Sequence, residues 1–196
     1  MTAWNCLYGS IPFIAGQSVL FLGTGGVSII GLILAKAAGA KTIITSSSDE
    51  KLKYVQEKYG ADYTINYKTH TNWEEEVLRL TDGEGADFVI ENGGAGTIAK
   101  SIASTKRGGQ VLLVGFLAQT EVNPDVAKLV LHRSCSIRGI AVGSKQLFEQ
   151  MLQFIHTKKL HMPVNKEFGF SNDQVLAAFD YLKSANHIGK IVIRVD

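Results

Sequence analysis

The chain has 196 residues, enough for one large domain or for a domain with an appendage. A hydrophobic content of 45% against 19% charged residues describes a globular protein with a substantial core, and a formal charge of +2 gives no electrostatic reason to bind nucleic acid or a membrane surface. Cys6 and Cys135 stand far apart and outside any C-x-x-C pair, which fits a reduced intracellular protein and gives no zinc-ligand spacing.

The first ten residues, MTAWNCLYGS, read as a helix that precedes the first strand. SVLFLG (Ser18 to Gly23) reads as a buried strand, and Val27 to Ala38 as a helix that packs on a sheet. KTIIT (Lys41 to Thr45) is a second strand, followed by a helix from about Asp49 to Lys58. DYTIN (Asp62 to Asn66) is a third, and TNWEEEVLRLT (Thr71 to Thr81) an amphipathic helix. ADFVIEN (Ala86 to Asn92), QVLLVGF (Gln110 to Phe116) and CSIRGIAV (Cys135 to Val142) supply three more strands, separated by helical segments near Thr97 to Ser104 and Asn123 to His132. Strands that are continuous apolar runs are buried on both faces, and their alternation with helices predicts a parallel, doubly wound α/β sheet with helices on both faces. Six strands in two βαβαβ halves is the count of the dinucleotide-binding Rossmann fold.

After Val142 the pattern changes. Two helices, about Lys145 to Thr157 and Ser171 to Ser184, are joined by a loop containing Pro163 and Gly169. GKIVIRV (Gly189 to Val195) closes the chain as a tail strand without a partner in the six-strand count. The expected organisation is a leading helix over 1–15, the Rossmann domain over 16–143, and C-terminal helices with the tail strand over 144–196. Apolar runs are broken by Gly, Ser or Lys short of membrane-spanning length, and the N-terminus has no basic region followed by an apolar core, so a cytoplasmic location is expected.

Gly23-Thr24-Gly25-Gly26-Val27-Ser28 follows a strand and opens a helix, the context in which a G-x-G pattern carries meaning. The first glycine permits a tight turn, and the second removes a side chain where a pyrophosphate must meet backbone. The helix start then offers free N–H groups and partial positive charge. Ser28 stands where a third glycine would aid helix–strand packing, a tolerable small residue. A glycine-rich turn with no ligand is the alternative. At the end of the second strand, an acidic residue would bind the adenosine ribose and favour NAD. Ser46, Ser47 and Ser48 fill that place, with Lys51 nearby. Hydroxyls donate to a 2′-phosphate and the missing carboxylate removes a repulsion, so NADP is expected over NAD, unless Asp49 swings back to the ribose.

TAWNCLYG, GTGGVS, LAKAAGAKTIITSSSDEKL, YGADYTINY, GEGADFVIENGG, RGGQVLLVGF, IRGIAVGS and HIGKIVIRV occur in an order and spacing that span nearly the whole chain. In these segments the sequence resembles the medium-chain dehydrogenase/reductase superfamily, in its zinc-type alcohol dehydrogenase-like and quinone reductase branch. The resemblance implies an oxidoreductase that transfers a hydride between a nicotinamide and a carbonyl, alcohol, enone or quinone. It implies Thr2 near the nicotinamide and Gly23, Gly25, Gly26 and Val27 at the pyrophosphate. Ser46, Ser47 and Lys51 would surround the 2′-phosphate, with Tyr67 beside the adenosine. Asn92, Gly93 and Gly94 would lie where the ribose passes, Gly115, Phe116 and Leu117 at the nicotinamide ribose, and Val142, Gly143 and Ser144 at the carboxamide. Structural readings stand beside these: Tyr67 and Phe116 as packing residues, Asn92 as the cap of the helix that follows.

Family members carry a GroES-like catalytic domain ahead of the segment that starts at Met1. The sequence is therefore expected to be a cofactor domain plus tail, either a piece excised from a longer chain or a truncated gene product, with the tail strand resembling the piece that returns to that other domain. Within the chain, His70, His132, His156, His161 and His187 lie in separate segments, giving no zinc ligand set. Glu74, Glu75 and Glu76 read as a solvated helix face, both cysteines as buried thiols, and Tyr54 with Lys58 as misplaced for a Tyr-x-x-x-Lys pair. No catalytic residue is assigned. The competing class is a binding-only nucleotide or interaction module; a methyltransferase is disfavoured because it too would want an acid after the second strand. The apolar edge strand over 136–142 implies, by the same resemblance, a homodimer.

Overall fold

The structure is a computed structural model and describes residues 1–118, 120–121 and 123–195. Its main sheet is made of β1 (Ser18–Phe21), β2 (Lys41–Ser46), β3 (Tyr63–Asn66), β4 (Ala86–Glu91), β5 (Thr105–Leu113) and β6 (Ser136–Gly139). The order is β3-β2-β1-β4-β5-β6 and every pairing is parallel. The crossovers carry α2 (Gly26–Ala37), α3 (Asp49–Tyr59), α4 (Trp73–Leu80), α5 (Ile98–Ala103) and α6 (Val126–Arg133). This is the expected doubly wound Rossmann architecture, with its topological switch between β1 and β4.

Period-two side-chain alternation explains why the strands are apolar throughout. Val19 and Phe21 of β1, Ile44 of β2, Phe88 and Ile90 of β4 and Leu112 of β5 enter one core. That core is shared with α2, α3, a leading helix α1 (Thr2–Tyr8) and α7 (Lys145–Thr157). Leu20, Ile43, Val89 and Val111, the residues between, enter the other core with Trp73, Val77, Ile98 and Ile102 of α4 and α5. Each fully buried Leu, Ile or Phe contributes about 1.5–3 kcal/mol, so both faces of the sheet hold the fold.

The structure departs from expectation at four places. The leading helix stops at Tyr8, because Gly9 and Ser10 break it and Pro12 follows. β5 begins at Thr105, five residues early, and its pairing with β4 shifts register between Ala86 and Phe88 while Gly108 takes φ +77°. β6 ends at Gly139, where the chain turns toward Val142. The tail strand has a partner after all: β8 (Lys190–Ile193) pairs in parallel with β7 (Val164–Phe168), the segment read as a loop, and α8 (Asn172–Lys183) connects them. VNKEF was opaque because a short strand that is exposed at four of its five positions shows no hydrophobic period.

This βαβ unit is not free of the main sheet. The Gly189 N–H donates to the Thr24 carbonyl at 2.9 Å, and Gly25 and Gly189 form a parallel bridge. The start of β8 is thereby docked on the glycine turn. No described helix is long and apolar enough to cross a membrane.

Candidate functional site

β1 delivers the chain to the switch point and α2 carries it away, so the turn between them sits at the carboxyl end of the sheet. Gly23 has φ +75°, a conformation that side chains disfavour, and a Cβ there would meet nothing within 4 Å. Gly25, the N-cap of α2, is extended at φ −74°, ψ 179°, and a Cβ there also points into open space. No side chain caps α2 and no acid lies in its first turn, so its positive end carries no compensating carboxylate, although the Gly25–Gly189 bridge engages backbone at its start. A Cβ on Gly26 would stand 2.6 Å from Cε and 2.8 Å from Nζ of Lys190. The Lys190 stem therefore lies across the start of α2. The sequence pattern missed this residue because the contact depends on where β8 docks.

Ser28 donates its hydroxyl to the Leu22 carbonyl at 2.9 Å, which gives the small residue the helix–strand packing role expected of it. The Asn92 amide donates to the same carbonyl at 3.0 Å and to Ser28 Oγ at 3.1 Å. Asn92 thus ties β4 to the glycine turn and caps neither the short 3-10 turn at Gly94–Gly96, whose N-cap is Gly93, nor α5, whose N-cap is Thr97. Glu91, fully buried, accepts from the N–H groups of Gly93 at 2.6 Å and Gly94 at 2.9 Å, from Thr97 Oγ1 at 2.6 Å, and from the Ser101 hydroxyl. The carboxylate shapes the 92–97 turn from beneath. Backbone bonds from Gly115 to Glu91 and from Leu117 to Asn92 hold the segment after β5 against that turn.

These pieces enclose two adjoining clefts. One, of about 170 Å³, is lined by Gly23, Gly25, Gly26, Val27, Asn92 and Leu117. The second, of about 280 Å³, shares Leu22, Gly23, Asn92 and Leu117 and adds Thr45, Tyr67, Trp73, Gly93 and Thr97. Thr45, Trp73 and Thr97 escaped the sequence reading because each looked like ordinary strand or helix content. Phe116 is 77% exposed and Leu117 86%, so neither is a core residue. Tyr67 is 41% exposed and lines the second cleft.

At the end of β2 the serines have separate duties. Ser46 is buried and its Oγ accepts from the Ser48 N–H at 3.4 Å. Ser48 caps α3 by accepting from the Lys51 N–H at 3.3 Å. Asp49 accepts from the Asn66 amide at 2.8 Å, which holds its carboxylate toward β3. The Lys51 ammonium donates to the Ala185 carbonyl at 2.6 Å and to that of His187 at 3.5 Å. A cavity of about 540 Å³ opens here, lined by Ser47, Ser48, Lys51, Tyr54, Lys68 and Asn186 among others. Burial lowers the pKa of Lys51; burial first, then Lys51 and Lys190, lowers that of His187.

A further group gathers at the end of β6. The Asn5 amide of α1 donates to the Val142 carbonyl at 3.2 Å, and a Cβ on Gly143 would stand 2.8 Å from Met1 Sδ. Thr2 opens α1 beside them. Val142 adopts φ +48° and Gly143 φ +150°. Ser144 Oγ accepts from the Leu147 N–H at 3.2 Å, so that hydroxyl caps α7. This group shares no lining residue with the three clefts above.

No set of three or more His, Cys, Asp or Glu side chains that could hold a metal converges among the described residues. Burial pushes the Cys6 thiol up to about 12 and raises that of Cys135, so both stay protonated thiols at neutral pH.

Residues 26–157 match the family described as zinc-binding dehydrogenase. A zinc-type alcohol dehydrogenase-like protein of Schizosaccharomyces pombe is 43% identical over 201 residues, taking in 100% of this chain and 57% of that protein. An L-threonine 3-dehydrogenase of Pyrococcus furiosus is 32% identical over 186 residues, 91% of this chain and 51% of its own length. A crystal structure of an NAD-dependent alcohol dehydrogenase superposes with a TM-score of 0.87 at 32% identity, over 100% of this chain and 56% of that one. The chain spans about half the length of the curated relatives it matches. The bare glycine turn, the reversal of strand order beside it and the matched span point the same way: the chain belongs to the zinc-binding dehydrogenase family and corresponds to its cofactor-binding half.

Proposed function

We propose that this chain binds NADP(H) along the switch-point clefts and serves an oxidoreductase of the medium-chain alcohol dehydrogenase or quinone reductase type. The observation that carries the reading is the uncapped start of α2, open at Gly23 and Gly25 and crossed by the Lys190 ammonium. A diphosphate seated there meets backbone N–H groups, the positive helix end and the Lys190 cation together. The apolar cleft with Tyr67 and Trp73 suits an adenine ring. Asn92 and Gly93 then lie along the ribose, Gly115, Phe116 and Leu117 at the nicotinamide ribose, and Thr2 with Val142, Gly143 and Ser144 at the carboxamide end. Ser46, Ser47 and Lys51 mark the 2′-phosphate end. NADP is favoured over NAD because the carboxylate nearest the serines, Asp49, is held by Asn66.

The bound nicotinamide supplies the hydride, and this chain's residues bind and orient it. Groups that polarise a carbonyl, alcohol, enone or quinone are assigned to the remaining length of the family, so this chain alone is expected to show negligible turnover. A nucleotide-binding module without chemistry is the second reading, favoured by the lack of an assigned acid, base or metal among the described residues. The outer edge of β6, which pairs with β5 alone, is proposed as the homodimer contact; a sedimentation mass near 21.3 kDa at every concentration would remove it.

The test is a calorimetric titration with NADPH and NADH. Binding near micromolar or weaker is expected, roughly −8 kcal/mol or less favourable, with NADPH preferred. Gly25→Val projects a side chain into the open cleft and is expected to leave the melting temperature nearly unchanged while weakening NADPH binding more than about tenfold. Equal binding by both proteins would refute the diphosphate site, and a tenfold preference for NADH would overturn the choice of NADP.

A further inference from the structure

The ammonium that sequence reasoning placed against the 2′-phosphate is already engaged. Lys51 has three N–H donors, and two of them reach carbonyl oxygens of the turn after α8, at Ala185 and His187, 134 and 136 residues away in the chain. That turn forms one wall of the 540 Å³ cavity, through Ser184, Ala185, Asn186 and Ile188. The opposite wall carries Ser47 and Ser48, with Glu50 adding negative charge. Lys68, just past β3, lines the same cavity; its backbone N–H is anchored on Asn66 Oδ1 at 3.0 Å, and its side chain is in no ion pair among the described residues. Lys51 and Lys68 both bring positive charge to this cavity against Glu50, but the Lys51 ammonium is drawn onto the carbonyls of Ala185 and His187, whereas Lys68 has no ion-pair partner among the described residues.

We propose that Lys51 is a positioning residue that pins the 184–188 turn as a wall of the adenosine site, and that Lys68 is the cation that selects a 2′-phosphorylated adenosine. This rests on the nucleotide reading above and divides its 2′-phosphate end into two jobs. Carbonyl contacts hold two of the three Lys51 donors whichever nucleotide is bound, so its loss loosens the wall for both. Lys68 discriminates because only one nucleotide brings a dianion within its reach.

The experiment titrates the 196-residue chain and its Lys68→Met, Lys68→Glu and Lys51→Met variants with NADPH, NADH, 2′,5′-ADP and 5′-ADP, and follows amide exchange at residues 184–188 without nucleotide. Lys68→Met is expected to weaken NADPH and 2′,5′-ADP about tenfold, Lys68→Glu further, with NADH and 5′-ADP within about twofold of the parent. Lys51→Met is expected to weaken all four ligands by similar factors and to speed exchange at 184–188 about tenfold. An unchanged NADPH-to-NADH ratio in both Lys68 variants overturns the Lys68 assignment while leaving the nucleotide site standing. Selective loss of NADPH in Lys51→Met with unchanged exchange returns the phosphate contact to Lys51 and overturns the division of roles. A parent chain that binds none of the four ligands brings down the nucleotide reading and this inference with it.

Discussion

The side-chain amide of Asn92 donates to the hydroxyl of Ser28, 3.1 Å away, and so joins the end of β4 to the first turn of α2 across the switch point. The same amide satisfies the Leu22 carbonyl at 3.0 Å. Asn92→Ala removes both bonds at once and is expected to cost about 1–2 kcal/mol. Because the glycine turn loses a brace, NADPH affinity should fall with it. Urea unfolding and calorimetry read the two effects; full affinity in a destabilised variant would restrict Asn92 to a structural role.

Glu91 faces four donors and no solvent. Glu91→Gln keeps the shape but turns an amide NH₂ toward groups that can only donate or already do. A loss of about 2–4 kcal/mol is expected, since buried donors are left facing a donor. Glu91→Asp should fall between, reaching fewer of the four. Stability of the Gln variant within about 0.5 kcal/mol of the parent would show that the network is dispensable.

Asp62 supplies the pH-dependent contribution. Burial opposes its charge, but the Lys36 ammonium at 2.7 Å and the Thr42 N–H and hydroxyl at 2.8 and 2.9 Å outweigh burial and bring its pKa below the usual value. A lowered folded pKa gives stability that is present above the unfolded value of about 3.9. It is lost as pH falls through the lower folded value. With 34% of its side chain exposed, the gain is small, under about 1 kcal/mol. The stability gap between parent and Asp62→Asn should therefore be open at pH 7 and close below about pH 4. A gap that does not change with pH would assign the effect to shape and not charge.

Val142 is a β-branched residue at φ +48° and is 61% exposed. Left-handed backbone costs such a residue about 1–2 kcal/mol, and little packing is at stake. Val142→Gly releases that strain at some entropic cost in the unfolded chain, for a net gain of up to about 1 kcal/mol. A lower melting temperature for the glycine variant would mean that the valine side chain packs more than its exposure implies.

The two faces of the sheet, the six parallel strands and the glycine turn were legible because they rest on local rules. Apolar runs such as SVLF and KTIITS alternate with helical periodicity, and G-T-G-G sits at a strand–helix junction. VNKEF was not legible, being short, polar and stabilised by a partner 26 residues on, at Lys190. Lys190 and Lys68 were invisible for a related reason. Nothing near either lysine in sequence tells what its ammonium faces.

Sequence alone therefore determined the fold class, the position of the switch point and the bareness of its turn, since side-chain period, chain punctuation and missing Cβ atoms are encoded residue by residue. Tertiary structure decided which charges meet the clefts. It sent Lys51 to the carbonyls of Ala185 and His187 and laid Lys190 over Gly26. Those contacts join segments more than 130 residues apart, and only the docking of the β7–α8–β8 unit on the glycine turn brings them within hydrogen-bonding reach.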